Sequence, residues 1–191
     1  MKRIIGILVL STLVSILASQ ALSWKLGLLA TGASGETSIP FGRPVQMSDG
    51  EQFQILISPD KASYLYVLYE DTTGSVSVLF KGVVKSGEEL LLPGESSLYS
   101  VGPPGGSERI VFVIALRPMN TLEALLSHLA EADGAQKALD EIARIKNSLS
   151  SLAEAPEKPV PMAGTARHLV DSTVTEFDGQ DTYVKTIRLD H

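Results

Sequence analysis

The chain has no cysteine. That excludes a disulfide framework, a thiolate metal site and a cysteine nucleophile. It also excludes a lipid anchor built on a cysteine at a cleavage point. Histidine is scarce: His128, His168 and His191 are the whole set, and no two stand at metal-ligand or triad spacing. Basic residues are few, 16 against 22 acidic ones, giving a net charge of −6 and a pI of about 5.1. Without a basic stripe the chain does not read as a nucleic-acid binder. After the N-terminal region no apolar run is long enough to span a bilayer.

What is present suits one globular domain. The 191 residues are 44% hydrophobic and 20% charged, enough for a real core. The N-terminus reads as an export signal. Lys2 and Arg3 precede an apolar stretch over residues 4–17, and small residues follow. Ser19 with Ala21 fits a cut after Ala21, and Ala21 with Ser23 fits one after Ser23. An uncleaved anchor is the alternative, lengthened by residues 24–30 but interrupted by Lys25. Cleavage takes 16 basic residues to 14 against 22 acidic, a net of −8. Residues 24–38, rich in Gly, Ala, Ser and Thr, read as a flexible lead-in.

The centre of the chain is YLYVLYEDTTGSVSVLF, residues 64–80. Tyr64, Tyr66 and Leu68 point one way, and Leu65, Val67 and Tyr69 the other. Both sets are apolar or aromatic, so neither face suits open water. Residues 70–74 form a turn in which Gly74 can take positive φ, and Val76, Val78 and Phe80 alternate after it. Before this hairpin, residues 39–41 suit a short edge strand, with Pro40 keeping it off a sheet centre. Phe53, Ile55 and Ile57 alternate with Gln52, Gln54 and Leu56, a half-buried strand. After the hairpin, residues 81–86 read as a loop, and 89–92 and 98–101 as short strands. Residues 109–116, RIVFVIAL, make a strongly apolar strand that belongs beside residues 64–69 in mid-fold. Pro118 ends it.

The pattern then changes to three- and four-residue steps. Asn120 and Glu123 stand at capping-box spacing. Leu122, Leu125, Leu126 and Leu129 form one stripe. Asp133-Gly134 breaks it, and Leu139, Ile142, Ile145, Leu149 and Leu152 form the next. Asp140 and Arg144 sit four apart as a pair. A helical hairpin packed on the sheet is expected; a partner's groove is the alternative. Residues 155–164 form a Pro-rich connection. Residues 167–175 and 182–189 read as extended, with a turn at 176–181 between them. The mixed pattern of the second suits a sheet edge.

The elements at residues 53–57, 64–69, 71–74, 79–80, 92–93, 102–105 and 109–116 have an order that resembles the bacterial domain of unknown function 4384, over residues 39–118. One departure is Phe80-Lys81, where the family has Phe-Pro. The resemblance implies an envelope or secreted β-sandwich-like domain, of a kind that accompanies kinase-like or caspase-like domains in larger chains. The family has no assigned catalytic residues, so none carries over.

Sites for chemistry are thin. His128 reads as a helix-surface or boundary residue and His191 as a mobile terminus. Glu70 with Asp71, and Asp178 with Asp181, have the composition of solvated turns rather than the alternating oxygens of a Ca²⁺ loop. Residues 102–107, GPPGGS, lack the Lys-Ser/Thr ending and following helix of a phosphate loop. Tyr64, Tyr66, Tyr69 and Tyr99 are the candidate binding surface, each an apolar ring with a polar tip.

The expectation is therefore an α+β chain. A mainly antiparallel β-sandwich-like domain carries an inserted helical hairpin and a C-terminal return strand. Residues 1–23 are a signal peptide and 24–38 a lead-in. Residues 39–191 are one β-rich domain with its helical insertion at about 120–153. No catalytic residue, metal or cofactor is implied. The expected function is an exported, non-catalytic binding module of the bacterial envelope, periplasmic or secreted. Its partner is another envelope protein, and it meets the membrane only through the signal segment. The alternatives are an envelope hydrolase built on His168, Asp171 and Ser172, and a helix-mediated assembly subunit using residues 120–152.

Overall fold

Alternating apolar residues build two facing sheets, and the leucine-striped segment covers one of them. The computed structural model describes residues 22–32, 35–38, 44–149, 158–161, 173–179 and 181–191. In chain order the strands are β1 (Leu22–Gly32), β2 (Gly35–Ser38), β3 (Val45–Gln46), β4 (Gln52–Pro59), β5 (Ser63–Glu70), β6 (Val76–Val84), β7 (Leu90–Leu92), β8 (Tyr99–Ser100), β9 (Ser107–Ala115), β10 (Lys158–Pro161), β11 (Thr173–Gly179) and β12 (Thr182–Asp190). The helices α1 (Asn120–Leu126) and α2 (Gly134–Leu149) lie between β9 and β10.

The first sheet runs β10-β11-β1-β4-β7, with β2 on β1 and β8 on β4; the second runs β3-β12-β9-β5-β6. All pairings are antiparallel except β12 with β3. Between the sheets lies the main core. β1 supplies Leu22, Trp24, Leu26 and Leu28, and β4 supplies Phe53, Ile55 and Ile57. From the other side come Leu65 and Val67 of β5, Ile110, Phe112 and Ile114 of β9, and Ile187 and Leu189 of β12. These are the alternate residues of each strand, as a two-layer β core requires. An aromatic group closes one region: Trp24 stands 5.1 Å from Phe177 and 5.7 Å from Tyr183, ring to ring.

The other face of β5, β9 and β12 is also dry. Tyr66, Leu68, Val111, Val113 and Val184 pack there against Leu122, Leu126, Ala138, Ile142 and Ile145 of the helices. So β5 and β9 are buried on both sides, as their two apolar faces predict. β9 pairs with β5 from Tyr64↔Ala115 to Glu70↔Arg109, in mid-sheet. The helical hairpin packs on its own sheet, which leaves its buried stripe unavailable to a partner's groove. The break falls where expected, with α2 starting at Gly134.

Several expectations are corrected. The stretch read as a flexible lead-in is largely strand. β1 lies between β4 and β11, and Leu22, Leu26 and Leu28 are fully buried. Its Gly and Ala content hid an alternation of large residues at 22, 24, 26 and 28. Of the two expected cuts, that after Ser23 falls inside this strand and that after Ala21 at its start. Residues 81–84 extend β6 instead of forming a loop. β11 runs through to Gly179, with Phe177 buried where a turn was expected. β12 meets β3 only at Leu189 and Asp190, so among the described strands it is a sheet edge over residues 182–188, as expected. Its mixed pattern has another cause: the Lys185 ammonium sits 5.0 Å from the centre of the Phe177 ring, so a charged residue can share the core-facing side. On α2 the buried residue is Ala138, with Leu139 at the boundary. Arg144 pairs with Glu141 at 2.7 Å, while Asp140 accepts from Gln136. The expected edge strand at 39–41 lies outside the described residues.

Candidate interaction surface

The four candidate tyrosines do not share one surface. Tyr66 is 1% exposed, beneath α1. Its hydroxyl donates to Glu123 Oε1 at 2.6 Å and accepts from the Met119 backbone N–H at 3.0 Å. Burial, and then the bond to Glu123, push its pKa up to about 12. Tyr64 is half-buried on the same helix-covered side. Tyr69 faces the sandwich interior, where burial and a bond to Glu108 raise its pKa. Tyr99 lies on the other sheet, opposite Phe53 in the ladder, with ring centres 5.4 Å apart. Its pKa is raised by burial. These rings are therefore mostly packing material, and Tyr66 is also a tie between layers.

The capping box is replaced by that tie. Met119 is the N-cap of α1, and no side chain of its own caps the helix. The cap comes from the sheet, through the Tyr66 hydroxyl.

The end of the sandwich near Tyr69 holds the last residue. His191 exchanges two backbone bonds with Gly106, at 2.8 and 3.0 Å. Its ring is enclosed, with Nδ1 3.4 Å from Asp49 Oδ1 and Nε2 3.4 Å from Glu108 Oε1. The expected mobile terminus is thus tethered. The enclosed ring lies between two carboxylates at this end of the sandwich. The loop at 102–106 serves the same clamp. A Cβ on Gly106 would lie 2.8 Å from Thr72 Cγ2, so the loop packs between the chain end and the hairpin turn. This is a rigid turn, as expected.

Asp71 uses its Oδ1 within the hairpin turn, accepting from Thr73 N, Thr73 Oγ1 and Ser75 N. The bond from the Thr73 side chain, followed by backbone bonds, holds its pKa below the ordinary value. Gly74 takes φ +83°, as the turn requires. His128 is exposed and contacts Glu131 at 2.7 Å. His168, Asp171 and Ser172 lie outside the described residues. Among the described residues no group of three His, Asp or Glu side chains is arranged to hold a metal ion.

A different surface emerges from the sheet edges. Five of the described edge strands are short, β2 with four residues and β8 with two among them. β3 has two residues and β7 has three, followed at once by Pro93. β10 has four, of which Pro159 and Pro161 carry no N–H. Two longer edges remain among the described strands: the outer side of β12 over residues 182–188, and β6, which has nine residues and no proline. Among the described strands it pairs only with β5, so alternate backbone groups point away from the sheet. The pairs Val78↔Leu68, Lys81↔Tyr66 and Val83↔Tyr64 put Val78, Lys81 and Val83 on the helix side of this edge. Val78 is 37% and Val83 54% exposed, two of the three large exposed hydrophobics described. Lys81 is the one charge in the strand. The register shift between Val67 and Leu68 leaves Leu79 as an extra residue, a bulge in the middle of the strand. The signal available in the sequence was the apolar VV at 83–84, continuing the strand past Gly82.

No curated protein and no solved structure matches the chain. Residues 46–118, from the end of β3 through β9 and including the whole of β6, match the family model described as Domain of unknown function (DUF4384).

Proposed function

We propose that this chain is an exported, non-catalytic interaction module of the bacterial envelope, and that it takes an extended segment of a partner protein along β6. The observation that carries the reading is the contrast between edges. Proteins blunt exposed strands because open backbone groups invite pairing. Among the described strands five edge strands are short, and of the two longer open edges β6 carries exposed valines while the outer side of β12 over residues 182–188 has no large exposed hydrophobic. Strand addition supplies main-chain hydrogen bonds along roughly 30 Å of β6, while alternate side chains give specificity. The partner segment carries apolar residues at alternate positions, to lie beside Val78 and Val83. It carries an acidic residue where it faces Lys81.

The test is selection of a phage-displayed random peptide library against the full chain. The recovered peptides should alternate apolar residues and contain Asp or Glu. They should bind Lys81→Glu at least about tenfold more weakly. The thermal midpoint of that variant should hardly move, since the position is exposed. Peptides that bind both chains equally, or a selection that recovers none, contradict the proposal. Self-association that Lys81→Glu abolishes would give the edge to a second copy instead, and also overturns it.

A further inference from the structure

We propose that the chain is processed at the Ala21–Leu22 peptide bond, so that the mature protein begins with the first residue of β1. The inference rests on the export reading above and goes beyond it by choosing the bond. Small residues allow two cuts, after Ala21 or after Ser23. The fold distinguishes their products.

A cut after Ser23 removes two residues from a central strand. Leu22 is fully buried in the main core and pairs with Gly179. Ser23 links β1 to both of its neighbours. Its N–H donates to Asp60 Oδ1 at 2.9 Å, and its carbonyl accepts from Asp60 N at 2.9 Å. Its hydroxyl donates to Glu176 Oε1 at 2.8 Å. The shorter product loses all of these.

A cut after Ala21 keeps every one of these contacts. Both products begin on a buried residue, Leu22 at 0% or Trp24 at 1% exposure, so the new charge does not separate them; the contacts of Leu22 and Ser23 do. The reaction is a simple hydrolysis. Water adds its oxygen to the Ala21 carbonyl carbon and the C–N bond breaks. Ala21 leaves as a carboxylate, and the Leu22 nitrogen takes both protons of the water to become an ammonium. A leader peptidase acting on the exported precursor supplies the catalyst.

The experiment expresses the full chain from Met1 in a bacterial host, fractionates the cells and measures intact mass. The expected result is a periplasmic or secreted species beginning at Leu22. In Ser19→Tyr, which blocks the first cut and leaves the second untouched, uncut precursor should accumulate. An exported species beginning at Trp24, with Ser19→Tyr processed normally, overturns the choice of bond and leaves export standing. Uncut chain retained in the cytosol or membrane fraction overturns export itself, and this inference with it.

Discussion

The Tyr66 hydroxyl stands between Glu123 Oε1 at 2.6 Å and the Met119 N–H at 3.0 Å, so the sheet caps the helix that covers it. Tyr66→Phe removes both bonds without opening a cavity. It strands the Met119 donor at the helix start, while Glu123, only partly buried, regains water. The expected cost is about 1–2 kcal/mol, read as a lower urea midpoint at unchanged slope.

The same residue sets an alkaline limit. Folding holds the proton on Tyr66 up to about pH 12, against an ordinary value of 10.0. The raised folded value means that this contribution is complete below pH 10 and is lost as pH climbs toward 12. Urea midpoints should therefore fall across that window. Tyr66→Phe should flatten the fall without abolishing it, because Tyr69 is also shifted upward.

Gly134 permits a close backbone crossing. A Cβ there would lie 2.1 Å from the His128 carbonyl oxygen, at the turn joining the helices. Gly134→Ala gains helix propensity but must displace main chain. A loss of about 1–3 kcal/mol or more is expected by thermal unfolding.

β1 is a structural strand, and Leu26→Ala tests it. Leu26 is fully buried between β4 and β11. Truncation should cost about 2–5 kcal/mol. A flexible lead-in would lose almost nothing.

Much of this architecture was legible because it follows from side-chain period. The double-faced strand at Tyr64–Tyr69 and the apolar run at 109–116 announced a sheet covered on both sides, and Pro118 marked the change to helix. The failures have physical causes. Gly27, Ala30 and Gly32 made β1 look like linker, although Trp24, Leu26 and Leu28 carried the alternation. Gly82 made β6 look finished early. The tyrosines were assigned to a surface because a ring with a polar tip suits one. At Tyr66 that tip instead satisfies a helix end, a partner visible only once sheet and helix are stacked. The open edge was illegible because it depends on which of the described strands lie beside β6.

Amide hydrogen exchange along β6 tests the proposed recognition most directly. In the free chain the amides of residues 76–84 that point away from β5 should exchange fast, while those bonded to β5 are protected. Saturation with a library-selected peptide should slow the fast set and leave Lys81→Glu unaffected under the same conditions. Protection that appears on the helices or the first sheet, with β6 unchanged, would contradict the account.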